Sequence, residues 1–344
     1  MTTVWVPFGT RQIICLMTLL AFTGPANHLR SQQTSQWRDA SPHKIGFVTV
    51  DEQVRLEVLD WGGSGPSIVL LPGGGDTAHV FDGFAPKLAA SCHVYGITRR
   101  GFGASSVPAS GYGTDRLGDD VMAVLDSLKL KRPILVGHSL GGAELSSVGS
   151  RYPKRVAGLV YLDAGYQYAF DNGKGGTLEE LQKVANPQPP APGPTDSDLA
   201  SFSSLQGWFA RVNGVTPPEA EFRYSWESAP DGRVLKRRST PIAAIIAGMT
   251  KYTAIPVPAL VIFAVPHDQG PWIKNHPDPA VREAAKLSSA QDAVLVERQA
   301  RAFENGVPGA RVVRLPGAHH YVFLSNETDV LREIRRFVAT LREP

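Results

Sequence analysis

The stretch Leu135-Val136-Gly137-His138-Ser139-Leu140-Gly141-Gly142 decides how the rest of the chain reads. It has the spacing Gly-x-Ser-x-Gly, which means little as a bare string and a great deal in context. Before it runs the apolar Pro133-Ile134-Leu135-Val136, of buried-strand type. After it, Ala143 to Tyr152 predicts a helix that Pro153 ends. A serine on so sharp a strand-to-helix turn sits in strained backbone geometry, and Gly137 and Gly141 leave room for the crowding. Its hydroxyl then stands at a helix N-terminus, where N–H groups and the dipole favour developing negative charge. Ser139 reads as a nucleophile.

Working outward, Lys44 to Val50 and Val54 to Asp60 alternate in polarity, whereas Ser67-Ile68-Val69-Leu70-Leu71 is a continuous apolar run. That change predicts a move from a sheet edge into a parallel centre. Pro72-Gly73-Gly74-Gly75-Asp76 follows, a turn whose glycines can leave backbone N–H groups free for an oxyanion. A helix is expected near Val80 to Ala90, a strand over His93 to Thr98, and a helix from Thr114 to Leu130 capped by Thr114 or Asp115. Val156 to Asp163 is a sixth strand. Regular alternation then stops between Gly165 and Ile255, where helical fragments (Leu178 to Val184, Ser197 to Val212, Pro217 to Ser228, Pro241 to Met249) surround the Pro-rich span Asn186 to Pro194. This segment reads as an inserted lid, its prolines a semi-rigid surface linker. Strands over Ala259 to Val265 and Arg311 to Leu315, with helices over Ser289 to Glu304 and Thr328 to Leu341, complete the chain.

The 344 residues and 42% hydrophobic content suit one large α/β domain with an insertion. A formal charge of +3 without a long basic block gives no reason to expect nucleic acid as a partner. Arg11, the apolar Ile13 to Phe22 and the small Thr23-Gly24-Pro25-Ala26 have the order of an export signal, and the apolar part falls short of the ~20 residues that span a bilayer. A periplasmic or secreted protein is expected, or a membrane-anchored one if the signal stays uncleaved. A mature chain would keep one cysteine, Cys92, and so no internal disulfide. No Cys/His set has structural-zinc spacing; neither metal nor cofactor is expected.

Three motifs in order, Pro72-Gly73-Gly74-Gly75, Gly137-His138-Ser139-Leu140-Gly141 and Pro316-Gly317-Ala318-His319-His320, resemble those of the α/β-hydrolase fold superfamily, in its serine-nucleophile esterase and lipase-like branch. Arg100-Gly101-Phe102-Gly103-Ala104-Ser105 looks like another loop common in that group. The resemblance implies a mostly parallel eight-stranded sheet flanked by helices, with a helical lid after the sixth strand. The corresponding boundaries are 1–30 for the signal, 31–164 and 256–344 for the core, and 165–255 for the lid. It also implies a catalytic order of serine, acid and histidine. His320, four residues after the proline, would be the base, with His319 the competitor. Asp268, after the seventh core strand, would be the acid, with Asp163, after the sixth, as the fallback. The oxyanion hole would take the N–H of Leu140 and of Gly74, or alternatively Gly75. A serine at the turn disfavours epoxide hydrolase and haloalkane dehalogenase chemistry, which use aspartate there. The expected activity is hydrolysis of a carboxylic ester or related small acyl compound through an acyl-enzyme. A lactone, amide or carbon–carbon bond hydrolase with the same residues, and a ligand-binding protein of this fold, are the alternatives.

Overall fold

A computed structural model describes residues 37–177, 180 and 191–341. The candidate export signal, the helix expected over Leu178 to Val184 and the Pro-rich span through Pro190 fall wholly or largely outside the described residues. The continuous apolar runs become parallel strands. In chain order the strands of the described residues are β1 (Lys44–Asp51), β2 (Val54–Gly62), β3 (Ser67–Leu71), β4 (His93–Ile97), β5 (Ile134–His138), β6 (Gly158–Leu162), a short hairpin β7 (Trp226–Ser228) and β8 (Val234–Arg237), then β9 (Ala259–Ala264) and β10 (Arg311–Leu315).

One 8-stranded sheet runs β1-β2-β4-β3-β5-β6-β9-β10. The pairings of β1 with β2 and of β2 with β4 are antiparallel, and the rest are parallel. This is the architecture the resemblance implies. Alternate side chains of the central strands enter two cores, one on each face. Val69, Leu135, Leu159, Tyr161 and Val261 go to one, and Ile68, Leu70, Val136, Val160 and Ile262 to the other.

Register places the site. Leu71 pairs with Gly137, His138 with Leu162, Leu162 with Ile262, and Ala264 with Leu315. The residues that follow these strands, Pro72, Ser139, Asp163, Val265 and Pro316, therefore emerge along one edge of the sheet, at the carboxyl ends of its parallel strands.

Helices cover both faces. The region expected as one helix near Val80 to Ala90 is a 3-10 turn, Ala78–Phe81, and a separate helix α1, Ala85–Ala89, which carries Pro86 in its first turn. Helix α2 (Thr114–Ser127) is capped by Gly113, one residue before the expected caps. Helix α3 (Gly141–Arg151) follows the serine turn. Between β6 and β9 lie α4 (Phe202–Asn213), α5 (Glu219–Ser225), the β7-β8 hairpin and α6 (Ile242–Ala247). This segment has a small core of its own, Phe202, Leu205, Phe222 and Val234. Among the described residues, no helix is long and apolar enough to cross a membrane.

Packing at the site edge is close enough to test. A Cβ on Gly142 would lie 2.1 Å from the Ala164 carbonyl oxygen, a backbone atom that cannot move without shifting the end of β6. Gly142→Ala should therefore lower stability by about 2–3 kcal/mol, the upper part of the overpacking range. A urea midpoint unchanged from the wild type would contradict this packing.

Candidate active site

Ser139 has φ +48°, a left-handed conformation rare for a residue with a side chain. The turn is fastened by Ser139 N–H donating to Leu162 O (3.3 Å) and Gly142 N–H donating to Ser139 O (2.8 Å). A Cβ at Gly137 would meet Gly141 at 2.8 Å, so the two glycines permit the close approach that the sequence predicts. The Tyr168 side chain lies beside Ser139.

The glycine loop after β3 is clamped from below. Arg99, 3% exposed, donates from Nη2 to Pro72 O (2.8 Å) and from Nη1 to Gly73 O (3.1 Å), while Nε and Nη2 also donate to Glu144 of α3 at 2.6 and 2.8 Å. A Cβ built on Gly74 would stand 3.5 Å from Leu140 Cδ2, whereas one on Gly75 would meet Arg237 of β8. Gly74 and Leu140 thus border the same opening. Neither N–H has a hydrogen-bond partner among the described residues.

His320 is held through both its backbone and its ring. His138 Nε2–H donates to the His320 carbonyl at 3.1 Å, and burial keeps the His138 ring well below its ordinary value, so it stays neutral. The His320 ring nitrogen Nδ1 lies 2.6 Å from Asp163 Oδ2. Asp163, fully buried with φ +45°, also accepts from Tyr166 Oη (2.9 Å), Ala264 N (3.0 Å) and His267 Nε2 (2.8 Å). Burial opposes its charge, but the hydrogen bonds from His267 and His320 outweigh that and hold the carboxyl below the usual carboxylate range.

The structure does not bring the expected acid to this histidine. Asp268 does not meet His320: Oδ1 accepts from Gly270 N (2.7 Å) and Oδ2 pairs with Lys274 Nζ (2.7 Å). Its carboxylate is spent on the start of the helix Gly270–Lys274, and His267, the preceding residue, faces inward instead. His319 makes no hydrogen bond to Asp163 either. Its N–H donates to Ser325 Oγ (3.1 Å), and burial, with the neighbouring His320 charge, lowers its ring to about 4.

Residues between β6 and β9 lie over the glycine loop. Ile242 Cδ1 would be 3.1 Å from a Cβ on Gly74, Arg237 donates to Gly75 O (2.9 Å), and Tyr224 stacks on His79 at 3.9 Å. Glu221 accepts from Thr77 N (3.0 Å) and Thr77 Oγ1 (2.6 Å). Glu221 and Arg237, with Asp76, Tyr321 and the aromatic side chains of Trp208 and Trp226, border a cavity of about 100 Å³. Its Asp76 corner adjoins Ser139: Asp76 Oδ2 and Ser139 Cβ lie 3.0 and 3.2 Å from the point a Gly73 Cβ would occupy. Sequence reasoning missed Tyr166, His138 and this carboxyl pair, which only the folded chain assembles.

The sequence profile of the alpha/beta hydrolase family matches residues 68–333. Among curated proteins, the chain is 31% identical over 124 residues to 2-(acetamidomethylene)succinate hydrolase of Mesorhizobium japonicum, covering 36% of this chain and 44% of that one. It is 30% identical over 202 residues to fluoroacetate dehalogenase of a Burkholderia species, covering 53% and 62%. It is 32% identical over 128 residues to an uncharacterized Mycobacterium tuberculosis protein, covering 37% of each. The chain thus spans between about a third and two thirds of the length of these relatives. Of solved structures, that of E-2-(acetamidomethylene)succinate hydrolase superposes with a TM-score of 0.59 at 20% identity, covering 86% of this chain and 99% of that one.

The cavity carboxyls make a stability test. Burial pushes Glu221 well above its ordinary 4.5, and the nearby Asp76 charge adds to the rise. A carboxyl raised on folding contributes stability that is complete below the unfolded value and lost as pH climbs towards the folded one. Glu221→Gln removes that loss. Its urea midpoint relative to the wild type should rise between pH 5 and pH 8, and a difference that stays flat or falls would contradict the burial of this charge.

Proposed function

The chain belongs to the alpha/beta hydrolase family, and on that premise we propose a serine hydrolase that cleaves a carboxylic ester or related acyl compound. The observation that carries the reading is the 2.6 Å contact between His320 Nδ1 and the buried Asp163 at the strand edge where Ser139 turns. In this mechanism Ser139 is the nucleophile, His320 the base and Asp163 the acid partner.

As Ser139 Oγ forms its bond to the acyl carbon, its proton passes to His320 Nε2 and the carbonyl π electrons move onto oxygen. The N–H groups of Gly74 and Leu140 receive that oxyanion; free of other partners among the described residues, they need no rearrangement to do so. When the carbonyl re-forms, the bond to the leaving group breaks and His320 returns the proton to that group. Water then gives its proton to the same nitrogen as it attacks the acyl carbon; when the bond to Ser139 Oγ breaks, His320 returns that proton to Oγ and the acid is released. Asp163 keeps Nδ1 protonated, so Nε2 carries the lone pair, and its charge stabilises the imidazolium without taking the proton. The segment 165–255 serves as the lid, shielding the acyl pocket from water.

A serine at the turn supports acyl chemistry over the dehalogenation for which the Burkholderia relative is named. Ester, lactone and amide panels run side by side separate the acyl substrates.

Two experiments test the reading. Ser139→Ala should leave the fold intact, abolish labelling by a fluorophosphonate and lower turnover by a factor of about 10⁴ or more. Near-normal hydrolysis by this variant would remove Ser139 from the mechanism. Asp163→Asn should lower kcat by a factor on the order of 10⁴ at neutral pH through the wrong histidine tautomer, with Asp268→Asn within about tenfold of the wild type. The reverse pattern would return the acid to Asp268.

A further inference from the structure

Asp163 holds two histidines, and the mechanism uses only one. His267 Nε2 lies 2.8 Å from Asp163 Oδ2, the same oxygen that meets His320, and His267 Nδ1 lies 2.8 Å from Asp292 Oδ2. Asp292 comes from the 28-residue helix Pro279–Gly306. A ring nitrogen facing an ionised carboxylate must donate to it. With a carboxylate at each nitrogen, His267 carries both protons and a positive charge. We propose that His267, anchored by Asp292, is a positioning residue that fixes the Asp163 carboxylate and sets the pH at which His320 takes up its proton. This rests on the roles given above to Ser139, His320 and Asp163.

The geometry makes a row of alternating charge: Asp292 negative, His267 positive, Asp163 negative, then His320, positive once it has accepted the nucleophile's proton. The ring centres of His267 and His320 are 6.3 Å apart. At that separation a permanent cation disfavours a second one. It thereby opposes the second positive charge that His320 acquires when it accepts the nucleophile's proton. Burial opposes charge on His267, but hydrogen bonds to Asp163 and Asp292 outweigh it and raise the ring to about 10. The other groups that face His267 do not cancel this cation. Tyr166 donates its proton to Asp163 Oδ1 and offers only a lone pair to His267 Nε2 at 3.1 Å, and His319 is neutral. Across the groove that His267 lines, Lys274 is paired with Asp268 and Lys286 with Glu283, and Arg282 is bonded to the Pro277 carbonyl.

The test has two arms. Nitrogen-15 NMR of the full chain labelled at histidine reads the charge directly. One histidine, absent from the His267→Gln spectrum, should show both ring nitrogens protonated from pH 6 to pH 8.5. A His267 neutral at pH 7.5 would overturn the proposal. The second arm is the pH profile of kcat/KM on an activated ester. Gln keeps a donor for Asp163 and loses the charge, so the acid limb of His267→Gln should move upward by about one pH unit or more. Asp292→Asn should move it the same way by less. A limb that stays in place, whatever the plateau height, makes His267 a structural residue and refutes the assignment. If the wild type takes no phosphonate and turns over no ester, the reading beneath the proposal fails; a labelled, active enzyme with an unshifted limb defeats the proposal alone.

Discussion

A carboxylate with no access to water has to be satisfied by the protein, and Asp163 is satisfied on all sides. Its four hydrogen bonds come from the loop after β6 (Tyr166), the end of β9 (Ala264), the turn beyond β9 (His267) and the loop after β10 (His320). Burying such a charge unpaired would cost several kcal/mol, so the carboxyl ends of three neighbouring strands are tied to one atom pair. Moving any of these segments would strand the charge. The proposed base is placed by that necessity more than by its own loop, which leaves His320 half exposed.

The opposite wall is built on backbone geometry. Ser139 and Asp163, the residues that leave β5 and β6, both adopt positive φ, and Ser139 N–H is bonded to Leu162 O. Strain at adjacent strand ends is stable only when the surroundings over-determine it. Arg99 supplies part of that support from beneath the glycine loop, and His138 supplies another part by fixing the His320 carbonyl. The proposed nucleophile, oxyanion donors and base are thus held before any substrate arrives. That is the condition under which electrostatic stabilisation is most effective.

The fold was legible because its central strands are buried on both faces, and burial writes itself as continuous apolar runs such as Ser67–Leu71 and Ala259–Ala264. The β7-β8 hairpin was not legible: its strands are short, and three of the four residues of Val234–Arg237 are exposed, so no alternation announces it. The serine turn and His320 were visible from their spacing, and the structure brings His320 to Asp163. The expected acid, Asp268, does not reach His320, because position after a strand does not determine which way a side chain turns. His267 and Asp268 are neighbours in sequence and face opposite directions, one into the site and one towards Lys274. Asp292 has no signal at all, since it is one acidic residue on a long polar helix until the fold sets it against His267.

The structure of the protein after reaction with a small fluorophosphonate tests the central claim most directly. The account predicts phosphorus bonded to Ser139 Oγ, the phosphoryl oxygen accepting from the N–H groups of Gly74 and Leu140, and His320 between the adduct and Asp163. Phosphorus on another residue, or a His320 ring turned away from Asp163 towards Asp268, would contradict it.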